Sequence, residues 1–145
     1  MKKVVIGIIV VLLIIVTSIF ILTNNSESPP NLSQSSKSSI LSSYEIEMSS
    51  TGFSPSAITI KAGEKVTFIA IDSSNRWPAT ASHPTHTVYP GSDIQKCETS
   101  EKNSIFDACK GVSQGATYEF TFNEKGTWNY HDHLQPSKFG KIIVE

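Results

Sequence analysis

The sequence predicts an all-β fold, a small sandwich carried behind one membrane-spanning helix and a flexible linker. Three observations lead there. Apolar and polar residues alternate with a period of two through residues 44–145. Turn-forming residues cut that alternation into short runs. Near the start stands an uncharged apolar stretch, residues 4–23.

At a rise of 1.5 Å per residue, about 20 residues span a hydrocarbon layer of roughly 30 Å. Lys2 and Lys3 precede the apolar stretch. Positive charge stays on the cytoplasmic side, so the C-terminal part is expected outside the cell membrane. A cleaved signal peptide is the rival reading. Against it stand the length of the run and the lack of a small-x-small cleavage site or a following cysteine for a lipid. Residues 1–23 are read as the anchor. Residues 24–43 are rich in Ser, Asn and Pro without apolar periodicity, and are read as a tether. Asn24 and Asn31 stand in N-x-S contexts.

Residues 44–145 have the length of one small domain. Tyr44, Ile46 and Met48 alternate with Glu45 and Glu47; Ile58 and Ile60 with Thr59 and Lys61. Val66, Phe68 and Ala70 continue the pattern. Tyr118, Phe120 and Phe122 alternate with Glu119 and Thr121, and Trp128, Tyr130, Ile142 and Val144 follow. Turns are expected at Ser54-Pro55-Ser56, Ala62-Gly63-Glu64, Asn123-Glu124-Lys125-Gly126 and Phe139-Gly140. No helical stripe appears, so an antiparallel sandwich is expected. Residues 91–114 are irregular and long for a loop, which points to function or a covalent tie. The two cysteines of the chain, Cys97 and Cys109, flank part of this stretch. In an extracytoplasmic setting they are expected to form a disulfide. Thiolate ligation is the alternative, but the spacing is too long for a CxxC clamp.

The net formal charge is −1, which leaves no basic field for nucleic acid. The chain has four histidines, and they fall in two tight pairs, His83 with His86 and His131 with His133. Imidazole is the commonest protein ligand for copper and zinc. His131 and His133 lie two apart, so in an extended chain they share a face and make a bidentate clamp. A third imidazole from another strand completes a three-coordinate base. One feature opposes this. Trp128 and Tyr130 point inward, which turns His131 and His133 away from the core in a regular strand. A bulge, or the strand ending at His131, releases that constraint. Pro84 biases His83 towards an extended backbone. Asp132 is a candidate to orient an imidazole from behind.

Residues 52–68, GFSPSAITIKAGEKVTF, resemble the opening strand pair of small cupredoxins, where a P-x-x-I-x-V-x-x-G-x-x-V-x-F stretch leads into the sandwich. His86-Thr87-Val88 resembles their first copper histidine, which opens an H-x-V step. Residues 126–144 resemble their last strand pair and the ligand loop between. The resemblance implies a Greek-key β-sandwich and a copper site. Blue-copper members carry Cys, His and Met in the last loop. Set against an amicyanin-like loop of equal length, Asp132, Gln135 and Lys138 stand at those places here. A blue site needs the thiolate. Gly126-Thr127-Trp128-Asn129-Tyr130-His131-Asp132-His133 is also similar to the G-T-x-x-Y-H-x-H segment of multicopper oxidases, whose H-x-H histidines bind copper without sulfur. That likeness carries over to His131 and His133 and implies no oxidase activity.

The expected function is therefore a membrane-anchored, extracytoplasmic copper protein. Its site is all-histidine and non-blue, built from His83, His86, His131 and His133, with zinc as the alternative metal. Copper handling or electron transfer, beside a redox or copper-delivery protein, would follow. A mononuclear copper or zinc enzyme is the second reading, though no general base beyond Asp132 is evident. A structural sandwich with a decayed metal site is the third.

Overall fold

A computed structural model describes residues 44–145. The helix expected over residues 4–23 and the tether over 24–43 lie outside the described residues. Among the described residues, no helix is long and apolar enough to cross a membrane.

Eight strands run in chain order: β1 Tyr44–Ser49, β2 Gly52–Ser54, β3 Ala57–Ile60, β4 Glu64–Ala70, β5 Pro78–Thr80, β6 Thr117–Phe122, β7 Gly126–Asp132 and β8 Gln135–Val144. Each expected alternation lands on a strand, because period-two burial needs a pleated chain with one covered face. Ile46 and Met48, Val66, Phe68 and Ala70, and Phe120 and Phe122 are buried from one sheet. Ile60, Tyr130, Ile142 and Val144 are buried from the other. β2 and β5 are additions to the sequence reading. Each has three residues, too few to show a period, and all of β5 is buried.

The strands form two four-stranded sheets, ordered β2-β1-β4-β6 and β3-β8-β7-β5. The expected antiparallel sandwich is corrected here, since each sheet contains one parallel pair. β1 lies parallel to β4, with Ile46 opposite Phe68. β3 lies parallel to β8, with Ile58 opposite Ile142. The cause is the chain's path. After the β1–β2 hairpin it leaves for the second sheet as β3, then turns at Gly63 and re-enters the first sheet beside β1 in the same direction. The other pairings are antiparallel.

The irregular stretch after Gly91 holds two short 3₁₀ turns, Ile94–Glu98 and Ser100–Asn103. It then sends Ile105 and Phe106 fully into the core. Phe106 stacks on Phe120 at a ring-centroid distance of 5.2 Å and meets Phe122 edge-on at 4.8 Å. Burying such a ring is worth about 1.5–3 kcal/mol, so the stretch is part of the sandwich interior and not a free loop. Cys97 and Cys109 are bonded, as expected, with their Cα atoms 5.2 Å apart. At the crossing of β7 and β8, Tyr130 lies over Gly140, where any Cβ would collide with the phenol ring. A glycine is required there for close cross-strand approach.

Candidate metal centre

Both histidine pairs arrive at one end of the second sheet. β5 pairs with β7 so that Ala79 faces His131. Just beyond β5 the chain folds back on itself. Ala81 N–H donates to Asn129 O at 2.9 Å, His86 N–H to Ser82 O at 2.7 Å and Val88 N–H to Ala81 O at 2.6 Å. This turn carries His83 at the surface and His86 in the interior. His86 has φ of 56°, a left-handed conformation uncommon outside glycine, held by these bonds and by complete burial.

On the opposite arm the β7–β8 ladder shifts register between His131 and Asp132. That irregularity answers the question left open by the alternation. It lets consecutive residues Tyr130, His131 and Asp132 all be buried, each against a different neighbour. Beyond it, His133 N–H donates to Trp77 O at 2.7 Å, and the two rings lie 4.4 Å apart by centroid.

The four imidazoles therefore meet, with one nitrogen from each lying within 4.8 Å of all the others. His83 Nδ1 is 3.3 Å from His131 Nε2, and His133 Nδ1 is 3.0 Å from His86 Nε2. A tetrahedral ion with bonds of about 2.0–2.1 Å to nitrogen sets its ligand atoms about 3.3 Å apart. Two of the nitrogen pairs already stand near that distance, and four imidazoles are a donor set suited to one first-row transition metal. No thiolate belongs to it. Cys97 and Cys109 come near Asp107, but their sulfurs are spent on each other.

Burial and the facing rings of His86, His83 and His133 push His131 down to about 4, with Asp107 opposing. Burial, then His86 and His83, also lowers His133. Both are neutral at pH 7, with lone pairs available to a metal. The linkage gives a testable consequence. With His131 at about 4 when folded against 6.5 for the ordinary residue, the unfolded chain binds more protons between those values. The metal-free protein is expected to hold its His131-dependent stability above pH 6.5 and to lose it progressively towards pH 4. Urea midpoints taken at pH 7.5, 6 and 4.5 measure this, and a flat profile across that window contradicts it.

Three residues at the centre were not singled out from sequence. The carboxylate facing an imidazole is Asp107, not Asp132. His86 Nδ1 stands 2.5 Å from Asp107 Oδ2, with both side chains fully buried. Trp77 Nε1–H and Cys109 N–H donate to Asp107 Oδ1 at 2.6 and 2.7 Å. Burial works to raise this carboxyl, but the bonds from His86, Trp77 and Cys109 outweigh it and hold it below the usual range. The expectation for Asp132 is corrected. The register shift turns it towards Arg76, whose Nη1 lies 3.4 Å from Asp132 Oδ2. Its Oδ1 accepts from Trp77 N–H at 2.9 Å and Leu134 N–H at 3.0 Å, closing the turn that carries His133. Arg76 is itself buried and also clasps Asp72 at 2.9 and 3.0 Å. Asp107 sits in the irregular stretch and Arg76 in a short polar run, and neither place carries a pattern that marks it.

The sequence model of the cupredoxin-like domain family matches residues 11–144. Plastocyanin A/B of Petroselinum crispum is 34% identical over 94 residues, covering 63% of this chain and 86% of that protein. A reduced Cu(I) form of an amicyanin mutant superposes with a TM-score of 0.52 at 17% identity, over 72% of this chain and 83% of that one. A purple cupredoxin from Nitrosopumilus maritimus gives 0.52 at 20% identity, over 70% and 99%. At those identities the structural likeness speaks for the fold alone. With the family match spanning nearly its whole length, the chain belongs to the cupredoxin-like domain family.

Proposed function

We propose that this domain binds a single copper ion through His83, His86, His131 and His133, at a non-blue site, and serves copper handling or electron transfer outside a cell membrane. The observation that carries the reading is the convergence of one nitrogen from each imidazole within 4.8 Å. Copper is preferred to zinc on two grounds. It tops the divalent affinity order for nitrogen ligands, and the amicyanin neighbour is a Cu(I) form. Copper when bound would supply one-electron chemistry. The chain's own part is to bring the four imidazoles together, with His131 and His133 kept neutral by burial and their neighbours, and to keep sulfur out of the set.

Residues 4–23 would anchor the domain and residues 24–43 would hold it off the bilayer. A redox or copper-delivery protein is the proposed partner. Phe139, 74% exposed, stands opposite His131 on β8, and Leu134, 48% exposed, follows His133. Large exposed apolar side chains beside the histidines fit a docking rim. A cleft of about 680 Å³ runs from Phe139 and Lys141 to His83 and His131.

Electron paramagnetic resonance on the copper-titrated full-length chain tests the proposal. One equivalent of Cu(II) is expected to saturate the signal, with nitrogen couplings from three or four imidazoles and no intense thiolate band in the visible spectrum. Absence of stoichiometric binding, or an intense thiolate band, rejects it.

A further inference from the structure

The four histidines lie on two arms, and one buried carboxylate is linked to both, to the first directly and to the second through Trp77. Asp107 Oδ2 meets His86 on the first arm. Asp107 Oδ1 accepts from the indole of Trp77, whose ring lies against His133 on the second. We infer that Asp107 is a positioning residue that fixes two of the four imidazoles, and that the Cys97–Cys109 bridge holds Asp107 in place. The inference rests on the copper reading above and names how that site is kept in shape.

The chemistry of the carboxylate decides how His86 is oriented. An ionised carboxylate only accepts, so His86 must place its proton on Nδ1. That leaves Nε2, the atom 3.0 Å from His133 Nδ1, as the free lone pair for the metal. A charge-assisted bond of this kind is shorter and stronger than a neutral one, and it fixes both tautomer and ring plane. The other two donors to Asp107 keep its carboxylate from rotating.

What holds Asp107 is a closed circuit of chain. Its own N–H donates to Tyr118 Oη at 2.9 Å, and Ala108 N–H donates to Pro78 O at 3.0 Å, which pins the stretch to β5. Cys109 N–H bonds its carboxylate from two residues on, at a left-handed φ of 57° that cysteine rarely adopts. The Cys109 side chain is tied to Cys97 in the first 3₁₀ turn. That turn begins at Ile94, whose N–H donates to Thr85 O at 3.0 Å, next to His86. The circuit from His86 through Asp107, Cys109, Cys97 and Ile94 thus returns to the residue before His86. Opening it at the sulfurs frees Cys109, and with it one of the three donors on the carboxylate.

Two measurements on the full-length chain test this. In the metal-free protein, long-range ¹⁵N correlation spectra are expected to show His86 protonated at Nδ1; a proton on Nε2 overturns the inference. In chelator competition, Asp107→Asn is expected to lower copper affinity about ten- to a hundredfold, the usual effect of losing an outer carboxylate. Its unchanged far-ultraviolet spectrum would show that the fold is kept. Affinity within about twofold of the parent overturns the inference. Should Asp107→Asn fail to fold, the Cys97→Ala/Cys109→Ala variant decides the matter, since it is expected to weaken copper and parent-like affinity rejects the circuit. A parent chain with the Nδ1 proton that takes up no copper would instead reject the copper reading and leave the tautomer assignment standing.

Discussion

Replacing His131 by alanine is expected to lower copper affinity by more than about a hundredfold. Groups behind a metal ligand are commonly worth ten- to a hundredfold, and a ligand itself is worth more. His131 is, with His86, one of the two buried histidines of the four. Its side chain is only 5% exposed and its ring lies 5.0 Å from His86 and 5.4 Å from His83 by centroid. No other described donor stands ready to replace it, because the neighbouring carboxylates are occupied. Asp132 is engaged by Arg76, Trp77 and Leu134, and Asp107 by His86, Trp77 and Cys109. Water can fill the gap but supplies a weaker donor than imidazole. His83, at the exposed edge, should cost less when removed. Chelator competition on the two variants measures both effects. A His131→Ala affinity within threefold of the parent would sink the proposed ligand set.

Replacing Arg76 by methionine is expected to destabilise the metal-free protein by about 3–5 kcal/mol, the usual result of removing one partner from a buried ion pair. The Asp132 side chain is 2% exposed and the Arg76 side chain 1%. With the guanidinium gone, the Asp132 charge is left in the interior with only two backbone N–H donors. Asp72 lies nearer the surface, so its loss of Arg76 contributes little. Adding Asp132→Asn should recover much of the loss, since removal of both charges takes away the desolvation penalty. Chemical denaturation gives the free energies. An Arg76→Met change within 1 kcal/mol of the parent means that the pair has little role in stability.

Sequence reading recovered what depends on local pattern. Ile46, Met48, Val66, Phe68, Phe120 and Phe122 fill the core as their alternation predicts. Alternation reports a covered face and says nothing of a neighbour's direction, so the β1–β4 and β3–β8 parallel pairs were out of reach. The site divides along the same line. The pairing of His83 with His86 and His131 with His133 is written in residue type and spacing, and their meeting was inferred from that pairing and from the resemblance. Asp132 drew attention because it sits between two histidines, yet the register shift at that residue turns it to Arg76. Asp107 is 21 positions from His86. Only folding of the irregular stretch into the core makes them neighbours.

The parallel ladder between β3 and β8 has a kinetic consequence. Ala57 must find Lys141 and Ile60 must find Val144, partners far apart along the chain. The β7–β8 hairpin, by contrast, closes across the two residues between Asp132 and Gln135. Closing long loops costs entropy before any contact repays it, and such high-contact-order sheets fold on the scale of milliseconds to seconds. The order of events follows from loop length. The hairpin bearing His131 and His133 can form while β3 is still searching, so under the proposed ligand set a metal ion present during folding would meet these two imidazoles before the other two arrive.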